Sequence, residues 1–226
     1  MTGSIASLLM ADGRLPVGGH AQSAGLEPAV RAGLPAGRVP DYLRARLTTV
    51  GRVEAAATVL SHRWAGSAET ADAAGPRLLQ DELLARTPSA PMREASGQLG
   101  RGLARLVERL WPQAPAVRAL RALDGEPQRP VALGVATALT GMDERGAARA
   151  CLYDDAQTVA SAALKLLPID PLDPVGWVLA SASVIETVVE EAVTITEPAA
   201  LPAVTAPLIE AWSLAHQLNR RRIFRA

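Results

Sequence analysis

The side chains in this sequence that could hold a metal or move a proton are His20, His62, His216 and Cys151, together with the adjacent carboxylate pairs Asp81-Glu82, Asp143-Glu144, Asp154-Asp155 and Glu190-Glu191. Their spacing argues against either chemistry. No two histidines stand four residues apart, the separation that puts two metal ligands on one helical face. A single cysteine can form neither an intrachain disulfide nor a cysteine metal cluster within one subunit. Sequence neighbours on a helix point about 100° apart, so the paired carboxylates do not converge as a general acid and base and read as solvated faces or caps. Ser23 lies in no Gly-x-Ser-x-Gly elbow and has no recognisable base. His62, beside Trp64 near a helix end, reads as a capping or packing residue. His20 sits in a constrained loop, where two copies in a symmetric oligomer could share a metal. The expectation is no catalytic residue, no metal set and no directly bound cofactor.

What the chain offers instead is backbone shape. In the stretch Leu15 to Glu27, Pro16 fixes φ, Gly18 and Gly19 permit positive φ, and Gly25 lets another backbone approach closely, so the segment reads as a shaped connector entering a helix. A phosphate-cradling loop is the rival reading. It lacks the Gly-Lys-Ser/Thr that a P-loop needs, since the sole lysine, Lys165, lies far away, and the glycines do not have dinucleotide-fingerprint spacing. A purely structural turn is the plainest alternative.

Composition bounds the partners. Lys plus Arg and Asp plus Glu are balanced at 23 each in 226 residues, so the chain lacks the basic excess that binding a phosphate backbone demands. Every basic residue but Lys165 is arginine, which favours planar, bidentate pairing with carboxylates, although genomic base composition also produces that bias. The N-terminus has no signal-peptide pattern, and no uncharged apolar run reaches the roughly 20 residues that span a bilayer. A cytoplasmic protein with no nucleic-acid or membrane partner is expected.

Helical periodicity recurs along the chain. Leu43, Leu47, Val50, Val53, Ala57 and Leu60 step by three or four, as do Leu99, Leu103, Leu106 and Leu110; so do Leu152 to Leu166 and Val178 to Ala192. Ser89, Asp143 and Asp173 are candidate caps, with Pro91 and Pro174 in first turns and Pro168 as a stop. Shorter helices are expected over 23–32, 78–85, 116–123, 131–140 and 208–218. The valine-rich run 184–196 is the segment most easily mistaken for a strand. The spacing predicts an all-α, single-domain bundle of roughly eight to ten helices with Pro/Gly-rich connections over 1–226. Three glycines within six residues, Gly97, Gly100 and Gly102, cost roughly 0.8 to 1 kcal/mol each in a helix, so close helix contact or a partner's backbone must offset them. At the far end, Ile223 and Phe224 put large apolar groups at a chain end beside Arg222 and Arg225. This reads as a docking tail over about 219–226 that inserts into a partner.

Read together, these segments resemble the urease accessory protein UreF family. Leu15-Pro16-Val17-Gly18-Gly19-His20 through Ser23, Gly25, Leu26 and Glu27 is similar to the family's N-terminal pattern, with His20 in place of the usual aromatic. Arg93-Glu94-Ala95-Ser96, Gly100-Arg101, Pro130 to Gly134, Tyr153, Ser161 to Leu166 with Pro168, and His216 with Arg222-Ile223-Phe224-Arg225 follow in the family's order. Departures fall at Ile169 to Gly176, Asn219 and Ala226. The resemblance implies a nonenzymatic all-α assembly factor that dimerises, binds UreD (UreH), and recruits the GTPase UreG to apo-urease, with nickel and GTP handled by those partners. It also implies partner-binding roles for Pro16, Gly18, Gly19, His20, Ser23, Gly25, Leu26 and Glu27 in the loop, and for Arg222, Ile223, Phe224 and Arg225 in the tail. Direct regulation of GTP hydrolysis by an arginine acting in trans is the alternative. A helical transcription regulator is a further one, although Pro and Gly stand where its recognition helix would lie.

Overall fold

The computed structural model describes residues 5, 8–10, 12, 15–67, 74–218 and 223–224. Among the described residues the chain forms eleven α-helices and no strand: α1 (Leu26–Arg31), α2 (Val39–Thr48), α3 (Val50–Gly66), α4 (Ala74–Ala85), α5 (Ala90–Leu110), α6 (Pro115–Arg121), α7 (Arg129–Leu139), α8 (Glu144–Leu166), α9 (Asp173–Ala180), α10 (Ala182–Ala192) and α11 (Pro207–Gln217). The all-α expectation therefore holds. One buried apolar cluster runs through the bundle from Met10 to Phe224.

The centre of that cluster is α3, which lies against both α7 and α8 while α5 covers the other side of α7. Small side chains make the close packing possible: Ala55, Ala56, Ala57, Ala132 and Ala136 are fully buried. Polar groups trapped at the seam are paired with one another, as burial requires. Ser61 Oγ donates to the Val131 carbonyl at 2.6 Å, and His62 Nδ1 lies 3.1 Å from Thr137 Oγ1. His62 is thus a packing residue, and burial holds its pKa below the ordinary histidine range.

Local details depart from the sequence reading in instructive ways. The stripe from Leu43 to Leu60 is two helices, broken at Thr49 (φ −118°, ψ −88°), whose hydroxyl bonds back to the Ala45 carbonyl at 2.7 Å and offers the backbone an alternative to the helical ladder. The Val178 to Ala192 stripe is likewise divided at Ser181, whose hydroxyl donates to Trp177 O. Asp143 does cap α8, accepting from Gly146 N at 2.6 Å. Ser89 stands at the start of α5 but spends its hydroxyl on Ser213 Oγ of α11, 2.6 Å away. Asp173 is the first residue of α9 and Leu172 its cap. The valine-rich run is helical through Ala192, with Val188 and Val189 buried.

The glycine run of α5 has a direct explanation. A Cβ on Gly100 would sit 1.9 Å from the Pro127 carbonyl oxygen, and one on Gly102 would sit 2.4 Å from that of Val17. The backbones that press on α5 at these two glycines, which lie on opposite sides of the helix, belong to the chain's own loops: the one around Pro127 at Gly100 and the Leu15 to Glu27 stretch at Gly102. In an open helix Gly→Ala stabilises by up to about 1 kcal/mol, whereas here backbone must move. We predict that Gly102→Ala destabilises the fold by about 1–3 kcal/mol, read as a lowered urea midpoint; unchanged or raised stability would show that the loop does not rest on α5.

Candidate functional site

The site begins in the connector. Gly18 (φ +96°) turns the chain into a short 3-10 turn over Gly19–Ala21, and Ala24 (φ +52°) and Gly25 (φ +80°) turn it again into α1. Gly19 lies within the 3-10 turn, not in the positive-φ region expected of it, and has open space around it. Gly25 is the position where glycine is needed twice over: its φ is left-handed, and an added Cβ would meet Tyr42 Oη at 2.7 Å. Tyr42 in turn donates to the Ala24 carbonyl at 2.6 Å, tying the connector to α2.

This backbone path delivers Glu27 to the interior. Its side chain is fully buried, and an unpaired buried carboxylate would be very costly. It is not unpaired. Ile223 N donates to Oε1 at 3.0 Å and Oε2 at 3.2 Å, and Phe224 N donates to Oε2 at 2.8 Å. Arg31, one helical turn on, places Nε and an Nη at 3.1 and 3.0 Å from Oε1. Glu27 N donates to Ser23 Oγ at 3.3 Å. His216 Nε2 of α11 lies 3.6 Å from Glu27 Oε2 and 3.4 Å from the Phe224 carbonyl. Connector, α11 and chain end are thereby clasped around one carboxylate. Burial pushes the Glu27 pKa up, but the Ile223 and Phe224 amides, Arg31 and His216 together hold it below the ordinary carboxylate range.

The clasp sorts the expected site residues. Phe224 is buried (4% exposed) in its own chain's core, with Lys165 Nζ 5.1 Å from the ring centroid, whereas Ile223 is 62% exposed. The tail expected to insert into a partner is, at Phe224, inserted into its own bundle. Ser23, Leu26 and Glu27 are buried; Gly18, Gly19 and Gly25 are half-buried; Pro16 and His20 face outward. Arg222, Arg225, Asn219 and Ala226 lie outside the described residues. His216, Arg31 and Tyr42 were not singled out as site residues from the sequence. Only Arg31 left a local signal, as an arginine four residues after Glu27.

Beside the clasp lies a second buried polar group. Arg46 makes a bidentate pair with Asp155, both contacts 2.8 Å, and Arg129 bonds Glu54 and, at 2.8 Å, Asp154. Of the Asp154-Asp155 pair, Asp155 is buried, whereas the Asp154 side chain is 43% exposed. The roughly 100° between sequence neighbours on a helix sends Asp155 to one arginine and Asp154 to another. Burial raises the Glu54 pKa against the pull of Arg129, and burial pushes the Cys151 thiol up to about 12, far from a reactive thiolate.

The described residues thus form an all-helical bundle with Ile223 and Phe224 docked on a buried carboxylate. Residues 36–182 match the family model for UreF. The chain is 34% identical over 99% of its length and of the relative's to a urease accessory protein UreF of Mycobacterium sp. (strain JLS). It is equally identical, over 98% of both chains, to one from Mycolicibacterium vanbaalenii, and 36% identical over 74% of both chains to one from Mycobacterium marinum. The chain belongs to the UreF family.

Because the Glu27 pKa is depressed in the folded state, its contribution is present above the ordinary carboxylate pKa of 4.5 and is lost as the pH falls through the folded value beneath it. Glu27→Gln, which keeps the size but loses the charge and one acceptor, is expected to cost about 1.5–3 kcal/mol. It should also speed hydrogen exchange at the Ile223 and Phe224 amides and flatten the acid limb of the stability profile. Unchanged exchange at those two amides would dissolve the clasp.

Proposed function

We propose that this protein is a nonenzymatic assembly scaffold for urease maturation. It works in the cytoplasm as a homodimer, binds UreD (UreH), and recruits the GTPase UreG to apo-urease while nickel and GTP stay on the partner chains. The observation that carries this reading is the use made of Glu27. The connector's one carboxylate, fully buried, spends its charge on the backbone amides of Ile223 and Phe224 and so fixes where that segment lies. The full-length likeness to proteins named urease accessory protein UreF supports the same reading.

The outer surface suits such work. Leu172, the cap of α9, and Val175 and Leu179 within it, spaced three and four apart, are 75%, 57% and 71% exposed, an apolar stripe on one side. Leu218 (85%) and Ile223 (62%) are also exposed, as are His20 and Pro16 of the connector. Among the described residues no helix is long and apolar enough to cross a membrane, so these apolar faces are not membrane spans.

The test is copurification with UreD- and UreG-type proteins, with nickel-dependent urease activation as the readout. Ile223→Asp changes an exposed side chain and leaves the amide that Glu27 holds. It is expected to weaken UreD binding at least about tenfold, or about 1.4 kcal/mol, with helix content and melting temperature unchanged. A wild-type chain that remains solitary when mixed with these partners would overturn the scaffold reading; undiminished binding by Ile223→Asp would move the docking surface away from the tail.

A further inference from the structure

Charge in this balanced chain is not evenly spread. The stretch 101–121, the second half of α5 together with α6, carries five arginines and one acid, Glu108, so the remainder of the chain is acidic on balance. On α5, Arg101, Arg105 and Arg109 follow one another at intervals of four, which sets them on a single ridge about 6 Å apart along the axis. All three are exposed, as are Arg118 and Arg121 of α6.

Two of the five are neutralised within the chain. Arg101 pairs with Glu126, and Arg121 pairs with Glu108, which ties α6 to the ridge. Arg118 Nη1 donates to the Gln113 carbonyl at 2.6 Å, a bond that leaves its charge uncompensated. Arg105 and Arg109 have no hydrogen-bond or ion-pair partner among the described residues. The surface treats its other arginines differently: Arg145 and Arg149, equally exposed, each close a bidentate pair, with Glu190 and Glu186. Like charges four apart on a helix repel. The dipole of α5 favours a cation at Arg109, in the last turn, but that effect fades within one turn and gives no account of Arg105.

Guanidinium forks recognise carboxylates and phosphates. A nucleic-acid duplex, with one charge about every 1.7 Å of its axis, would run past a ridge about 12 Å long and onto the acidic remainder of the chain. Carboxylates four residues apart on a helix rise by the same 6 Å or so as Arg105 and Arg109 do. We propose that the Arg105–Arg109 ridge of α5 is a docking surface for an acidic helical segment of a partner protein, its carboxylates spaced three to four residues apart. Arg118, one turn before Arg121 on α6, strengthens the field that draws the segment in. The ridge is separate from the α11 junction: α11 meets α5 where Ser89 Oγ faces Ser213 Oγ, and Arg105 and Arg109 stand about 24–30 Å further along the α5 axis. The proposal does not depend on which partner the tail binds.

The test titrates the purified full-length chain into a fluorescein-labelled, alanine-based peptide of about 20 residues, long enough to be helical, with glutamates four apart on one face. A permuted peptide of the same composition, its glutamates dispersed around the helix, is the control. A single-stranded oligothymidylate and phosphatidylserine/phosphatidylcholine vesicles are the other anionic probes. The readouts are fluorescence anisotropy for the peptides and oligonucleotide, cosedimentation for the vesicles, and the backbone amide shifts of residues 101–121. The expected result is saturable binding of the one-faced peptide that weakens as sodium chloride is raised and shifts the ridge amides. Replacing both Arg105→Ala and Arg109→Ala, exposed side chains, should weaken it at least about fivefold with helix content unchanged. Arg44→Glu, which makes the same change in net charge at an exposed position of α2, should leave it unaltered. No saturable binding, equal affinity for the permuted peptide, an equal loss in Arg44→Glu, or tighter binding of the oligonucleotide or vesicles would each overturn the proposal. No arm involves UreD or UreG, so failure here is distinct from failure of the scaffold reading.

Discussion

A carboxylate removed from water must be given back nearly all the hydrogen bonds it loses, and the position of Glu27 makes that requirement the organising constraint of this molecule. Two of its donors are consecutive backbone amides of the chain end, a third is the arginine one turn along its own helix, and the α11 histidine stands beside it. Backbone amides presented by residues almost 200 positions away (|i−j| 196 and 197) close a loop of nearly the whole sequence. The connector's turns at Gly18 and Gly25, the tie from Tyr42 to Ala24, and the missing side chain at Gly102 of α5 beneath Val17 all serve to hold one acceptor in one place. The energetic asymmetry is large: a satisfied charged hydrogen bond contributes about 1.5–3 kcal/mol, while removing one partner leaves the remainder of the set exposed to the full cost of burial.

Arginine richness acquires a structural meaning in the same light. Arg31, Arg46, Arg145 and Arg149 each present two guanidinium nitrogens to one carboxylate. The last two join α8 to α10 on the surface, where such pairs are worth little. Arg46 and Arg129, by contrast, stitch α2, α3, α7 and α8 together inside the bundle, where a planar fork with fixed donor directions can satisfy two carboxylate oxygens at once and a lysine cannot. Burial of these pairs is weak grounds for stability, since well-packed apolar groups often do as well. Their consequence is register: a helix that slid by one residue would strand a charge.

How far the sequence disclosed this differs by level. Helix periodicity was legible because it is local, and the α8 cap at Asp143 likewise. The Thr49 and Ser181 breaks were not, because the apolar stripe continues through both. The burial of Asp155 was hidden because no local pattern announces an arginine that arrives from α2. For the site, the connector's shape was readable from its Pro and Gly residues, and the apolar chain end from Ile223 and Phe224. That the two meet was not, since contact across nearly the full chain length leaves no periodic trace, and no local pattern marks Phe224 and not Ile223 as the side chain that turns into the core.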